Sequence, residues 1–426
     1  LKKRKKKEER RGMSETGLET GAFSVKGVLV EMKDLSDSML DLAYSAVLYS
    51  NPEIAKEVFK LEERMHSLLY KVRIAIMLGA RNLEDAVAFS AVLQMAGAAE
   101  KISNAAGDIA KIAESVDITR YLDREDFEEA VINVRITPAS VLKDRTLKDL
   151  QLETETGMSV LAIKRGSEWL YSPEENERLR EGDLVISSGP TEGIPVFCKL
   201  ATCEKYESER KREEGRLKRR RVSEEIADLI AEMKNVSELM VGLSYSAVMF
   251  ESREIAEEVK ELEEAMDGMK EELEVAVLEA AGGVTRGVTE GREGAGAERS
   301  NFGELRGLLH VAISSEIISD AAYEIADVVL REIRLHPVFS ASIKESDEVI
   351  LKLEARNEGL FGKTLKELNL ETRTGMFVLA IRRAEGRGKW IYNPAGDAVL
   401  KAGDLLILRG PREAEAKIKE ICGAAV

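Results

Sequence analysis

The chain has 426 residues, a formal net charge of −15, 33% charged and 44% hydrophobic residues. That length provides for about two to four domains with proper cores, and the acidic balance excludes nucleic acid as the main partner, because phosphate binding takes a basic face. No apolar run of about 18 residues occurs, which excludes a membrane-spanning helix.

In chain order, Leu1 to Gly12 is almost wholly charged and lacks the apolar stretch of a secretory signal. Residues 1–24 are read as a charged, disordered arm, with Met13 as a candidate start. Leu35, Met39, Leu42, Ala43, Ala46 and Val47 follow the spacing of an amphipathic helix. Asn51-Pro52 reads as a helix cap with proline in the first position. A second stripe follows through Ile54, Val58, Leu61, Met65, Leu68, Leu69 and Val72, and Gly79 ends it. Asn82 caps a third helix through Met95, Ile102 and Ile112. Three long helices with short turns describe a bundle over residues 25–118. After a charged joint the period changes to two at Ile132, Val134 and Ile136. A short helix at Thr146 to Leu150, a strand at Ser159 to Arg165, a hairpin through Trp169 and a strand at Leu184 to Ile186 give a β-α-β-β-β lobe over residues 130–201.

The pattern then starts again. Glu31-Met32-Lys33 and Tyr44-Ser45-Ala46-Val47 recur 201 positions later as Glu232-Met233-Lys234 and Tyr245-Ser246-Ala247-Val248. Thr156-Gly157-Met158 recurs as Thr374-Gly375-Met376, 218 positions on. A period this long is far above that of solenoids, so each copy holds its own domains. The second bundle covers 223–334 after a charged linker at 202–222, with a flexible, disordered insert at 282–300, and the second lobe covers 346–424. The fold class is α+β. A duplicated chain can make within itself the pairing a single-copy relative makes as a dimer, so the two lobes are expected to pack as a pseudo-two-fold pair.

The lobes resemble the TrkA C-terminal (RCK-C) domain of potassium channel and transporter regulators. Leu147, Leu150, Gly157, Ile163, Arg165, Pro173, Leu179, Gly182-Asp183-Leu184 and Gly189 carry the resemblance in copy one. Leu365, Leu368, Gly375, Ile381, Arg383, Pro394, Gly396-Asp397, Gly403-Asp404-Leu405 and Gly410 carry it in copy two. Copy one departs from the Pro-x-Gly-Asp turn, with Pro173-Glu174-Glu175-Asn176. The helical halves look like the three-helix repeat of the phosphate-uptake regulator PhoU, which places acidic groups four residues apart on its third helix to hold metal. Here that helix carries Glu100, Asn104 and Asp108, and in copy two Glu316, Asp320 and Glu324.

Two candidate sites follow. The acidic sets share a helix face, since steps of four residues drift only about 40° each. Their oxygens suit a divalent or transition metal, and the alternative is a solvated acidic stripe. His66 is read as a surface or core histidine rather than a ligand. Lys164, Arg165, Arg382 and Arg383 are the cations expected to meet a cyclic dinucleotide or other small anion between the lobes, the alternative being strand ends facing solvent. The Gly-Asp pairs at 182–183 and 403–404 are read as turn chemistry. Cys198, Cys203 and Cys422 are too few and too dispersed for a disulfide framework or zinc site, and an odd count fits the reducing cytoplasm. No Gly-x-Gly-x-x-Gly follows a strand, and the scattered His66, His310 and His336 build no catalytic triad. The resemblance implies a cytoplasmic, non-enzymatic, homo-oligomeric regulator of a membrane cation channel or transporter. The alternative it leaves open is a PhoU-type adaptor in phosphate-uptake signalling, with metal on the bundles.

Overall fold

The computed structural model describes residues 25–48, 50–116, 118, 129–166, 168–171, 173, 176–190, 193–202, 220–289, 295–333, 348–384 and 390–424. The expected arm at 1–24 and most of the linker lie outside them.

Copy one begins with α1 (Val25–Leu48), α2 (Pro52–Gly79) and α3 (Leu83–Ser115). Asn51 accepts the Glu53 N–H at 3.0 Å and Asn82 the Asp85 N–H at 2.8 Å, so both turns are capped as read. The α2 stripe from Ile54 to Ile76 is buried. The lobe follows as β1 (Glu129–Arg135), α4 (Leu147–Leu150), α5 (Leu152–Thr156), β2 (Ser159–Arg165), β3 (Glu168–Tyr171), β4 (Leu184–Pro190) and α6 (Ile194–Thr202). Copy two repeats this as α7 (Arg220–Met249), α8 (Arg253–Thr289) and α9 (Ala295–Leu330), then β5 (Glu348–Glu354), α10 (Leu365–Leu368), α11 (Leu370–Thr374), β6 (Phe377–Arg382), β7 (Trp390–Tyr392), β8 (Leu405–Pro411) and α12 (Glu415–Cys422). The helical bundles with two small antiparallel sheets make the α+β class. One expectation is corrected: much of 282–300 is helical, since α8 continues to Thr289 and α9 begins at Ala295. Once a helix is nucleated, extension costs little per residue.

The sheets have matching order, β1-β4-β2-β3 and β5-β8-β6-β7, all antiparallel. Each carries the same irregularity, between Val160 and Ala162 and between Val378 and Ala380. A bulge lets two successive residues escape strict alternation. Leu161 and Ala162 therefore both join the core of the helical body, as do Leu379 and Ala380, while Ile163 and Ile381 turn to the lobe interiors. Each sheet is thus packed on both faces, against its own short helices and against the body.

The body is a single core built from both bundles. Within it α3 and α9 run antiparallel: the Gln94 side chain donates to the Glu324 carbonyl at 2.8 Å, while Gly307 lies against Ile112 and Ile118. The starts of α3 and α9 consequently sit at opposite ends of the body.

The two lobes meet within the one chain, α5 against α11. Gly157 and Gly375 close this contact with φ of +74° and +70°. A β-carbon on Gly375 would stand 2.8 Å from the Glu153 carbonyl, and one on Gly157 3.1 Å from that of Glu371. Lys417 Nζ bridges the lobes, donating to the Thr154 carbonyl at 3.0 Å and to Glu155 Oε1 at 3.1 Å.

Candidate functional site

The four strand-end cations do not converge between the lobes. β2 leaves the lobe contact just after Gly157 and rises about 3.3 Å per residue, so Arg165 lies roughly 25 Å outward. There Arg165 is held inside its own lobe. Its Nε and Nη2 reach Asp183 at 3.0 and 2.8 Å, its Nη1 reaches Glu177 at 2.8 Å, and Nη2 also donates to the Arg178 carbonyl at 2.7 Å. Asp183 is almost fully buried and accepts the Arg180 N–H at 2.9 Å. Hydrogen bonding to Asp183 first, then to Glu177, pushes the Arg165 pKa further up. Copy two repeats the device: Arg383 pairs with buried Asp404 and donates to the Val399 carbonyl at 2.8 Å, and Asp404 accepts the Lys401 N–H at 2.9 Å. The Gly-Asp pairs therefore shape a turn and neutralise an arginine at once.

Lys164 and Arg382 point the other way. Lys164 acts electrostatically on Glu53 at the start of α2. Arg382 lies over the Trp390 ring at 5.5 Å. Trp390 and Tyr392 reach the first turn of α8, with Nε1 to Glu254 Oε2 at 3.4 Å and the phenol to the Glu254 carbonyl at 3.5 Å. Burial, then Glu258 and Glu254, raises the Tyr392 pKa. These strand ends are where a lobe touches the body, not where an anion would sit between lobes.

The acidic sets gain partners from the neighbouring helix that sequence reading missed. In copy one, His66 Nε2 stands 3.1 Å from Asn104 Oδ1 and 3.2 Å from Glu100 Oε1. His66 is thus an exposed helix-surface histidine, as read, and it also touches the acidic set. Burial raises the pKa of Glu62 on the same α2 face, with His66 lowering it and Asp108 raising it. The copy-two counterparts are Glu263 and Asp267, each 201 positions on. Burial and then Glu316, Asp267 and Glu324 raise Asp320, and burial, Asp267 and Asp320 raise Glu263. Lysines temper the cluster: Lys270 pairs with Glu316 at 2.8 Å, and Lys101 from copy one pairs with Glu324. Among the described residues no three His, Cys, Asp or Glu side chains converge closely enough to hold a metal ion. In copy two, Glu316 and Glu324 are each held by a lysine, and in copy one Glu100 stands beside His66. The i, i+4 pairs Glu62/His66 and Glu263/Asp267, at one offset, were the available signal.

Fold and sites together define a class: a helical body of two fused bundles bearing two paired lobes, with acidic sets on the body. The TrkA-C domain family matches residues 131–202 and 349–423, and the PhoU domain family matches 29–113 and 230–329. The chain carries a PhoU domain and a TrkA-C domain, each present twice. A stretch of 100 residues is 34% identical to Ktr system potassium uptake protein C of Bacillus subtilis, covering 23% of this chain and 45% of that protein. Another of 89 residues is 29% identical to potassium channel protein 1 of Methanocaldococcus jannaschii, covering 20% and 27%. The matched stretches span less than half of either relative. The crystal structure of PhoU from Pseudomonas aeruginosa covers 72% of this chain and 96% of its own at 12% identity, with a TM-score of 0.36, a likeness too low to carry an argument. No described helix is long and apolar enough to cross a membrane.

Proposed function

We propose that the chain is a non-enzymatic regulator of a potassium-type channel or transporter encoded separately, sensing a small anionic ligand through its paired lobes. The observation that carries this reading is the lobe pair itself. Two TrkA-C domains meet at Gly157, Gly375 and Lys417, and both sheets rest on the body. A ligand that shifts one lobe against the other would move β2 and β6 over the helices beneath. The likeness of a stretch of the chain to a potassium uptake protein supports the choice of ion. A cyclic dinucleotide between the lobes would meet Lys417 and Arg373 rather than the outward strand ends. The test is potassium flux through the membrane protein that co-purifies with the chain, reconstituted in vesicles with and without it. Flux indifferent to the chain overturns the reading. Cyclic di-AMP titrated against wild type and Lys417→Ala tests the ligand separately.

A second reading rests on the matched five-residue sets, Glu62/His66/Glu100/Asn104/Asp108 and Glu263/Asp267/Glu316/Asp320/Glu324. In it the chain is a PhoU-type adaptor for phosphate uptake, and a divalent or transition metal displaces Lys270 and Lys101 from copy two. Calorimetry with manganese or iron on wild type and Glu316→Ala/Asp320→Ala decides it. Heat that the double variant does not lose rules this site out.

A further inference from the structure

The turn joining α2 to α3 carries apolar side chains that nothing among the described residues covers. Met77, Leu78 and Leu83 are 75%, 82% and 81% exposed. Three such side chains within residues 77–83, rather than one exposed singly, suit an interaction surface. The residues are layered. Met77, Leu78 and Leu83 form the apex. Tyr70, Lys71 and Arg73 lie four to eight residues back along α2, about 6–12 Å at 1.5 Å per residue. Aliphatic groups outermost, with an aromatic ring and cations one layer behind, is the order of a segment seated in a bilayer interface, where long basic side chains reach back to the headgroups.

We infer that this turn seats the protein on an anionic lipid surface, with Met77, Leu78 and Leu83 entering the acyl boundary and Lys71 and Arg73 meeting lipid phosphates. The shape agrees, since a helix turn is convex and offers itself to a soft surface. The local charge agrees as well. Although the chain carries −15 overall, the turn has Lys71, Arg73 and Arg81. Of its two carboxylates, Asp85 is tied to Arg81, whose N–H it accepts at 3.2 Å and whose Nε lies 3.8 Å away; Glu84 opposes the contact. The matching stretch of α8 offers the contrast. Val275 and Leu278 are exposed there among Glu271, Glu272, Glu274 and Glu279, which an anionic surface repels. The starts of α3 and α9 lie at opposite ends of the body, so one bilayer meets only one of them.

The inference does not depend on the potassium reading. Its test is co-sedimentation of the full chain with vesicles of phosphatidylcholine alone and of phosphatidylcholine mixed with phosphatidylglycerol. Wild type should bind the mixed vesicles, less so as salt rises. Leu78→Glu/Leu83→Glu should lower the partition coefficient by at least about tenfold. Both positions are more than four-fifths exposed, so the fold should survive, as far-UV circular dichroism would verify. Lys71→Glu/Arg73→Glu should abolish the preference for the anionic lipid. Three outcomes overturn the proposal: no binding to the mixed vesicles; binding that the leucine substitutions leave unchanged, which assigns lipid contact elsewhere, such as the charged residues 1–12; or self-association in sedimentation velocity, abolished by the leucine substitutions, without vesicle binding, which makes a second copy the occupant.

Discussion

The ammonium of Lys33 stands 5.8 Å over the ring of Tyr245, and the reciprocal contact places Lys234 5.7 Å over the ring of Tyr44. The two short segments that recur at an offset of 201 thus meet each other across the body. All four residues are buried. Lys33 is paired with Asp37 at 2.8 Å and Lys234 with Glu238 at 2.6 Å, and the Tyr44 hydroxyl meets Ser315 Oγ at 2.8 Å. The seam between the copies is therefore a reciprocal polar lock set in an apolar core.

Lys234→Met should destabilise the body by about 3–5 kcal/mol, because it strands the carboxylate of Glu238 in the interior. Lys234→Met/Glu238→Gln should recover most of that. Lys33→Met should cost less, since water reaches Asp34 and Asp37 more readily. Tyr44→Phe should lose about 1 kcal/mol with its hydrogen bond. Urea unfolding followed by far-UV circular dichroism measures all four, and equal costs for the two lysines would contradict the argument.

In the lobes, Asp404→Asn should destabilise copy two by about 2–4 kcal/mol by leaving Arg383 without its buried counter-ion, and Asp183→Asn should do the same in copy one. Arg383→Ala should also lower the melting temperature with no ligand present. A loss of dinucleotide affinity in that variant would therefore not identify a phosphate contact. Scanning calorimetry on the free protein checks the stability claim.

At the lobe contact, Gly375→Ala forces a side chain into left-handed backbone, costing about 1–2 kcal/mol, and drives it against the Glu153 carbonyl of the other lobe. Hydrogen exchange should quicken at 152–158 as well as at 370–376. Exchange confined to 370–376 would mean that the lobes separate freely.

The pH dependence can be read from Asp320, whose pKa is raised by burial and by Glu316. Between the ordinary carboxylate range and that raised value, the native state binds more protons than the unfolded chain. Stability from this group is thus full below the ordinary range and is lost as pH rises through the raised value. Asp320→Asn, which installs the residue that copy one has at Asn104, should raise the melting temperature at neutral pH and match wild type in acid. A variant no more stable than wild type at neutral pH would contradict the assigned shift.

Much of the fold was legible in the sequence. The α2 stripe from Ile54 to Val72, the caps at Asn51 and Asn82, and the strand at Ser159 to Arg165 are local signals, and local physics decides them. The anion site was not legible in the same way. Lys164 and Arg165 are neighbours on a strand and point to opposite faces, so they could not both meet one ligand. Nor does local pattern show that Arg165 closes on Asp183, although an arginine upstream of a Gly-Asp turn recurs in both copies. The contact of surface His66 with Glu100 and Asn104 was not legible either, because these partners come from another helix. The same gap hid the Lys33–Tyr245 crossing, which joins residues more than two hundred positions apart.

Fusing both halves into one polypeptide releases them from an obligation. In a symmetric homodimer every substitution appears twice, so a change that helps one side is imposed on the other. Here His66 faces its set where Asp267 faces the matching one, Asn104 answers to Asp320, and Gly107, whose bare backbone admits Glu62, answers to Tyr323. Each half has been able to drift by itself while the shared core held both in register. A gene of this form can keep one half as a fixed frame and let selection retune the other, changing the molecule's response in half-steps that a symmetric pair cannot take.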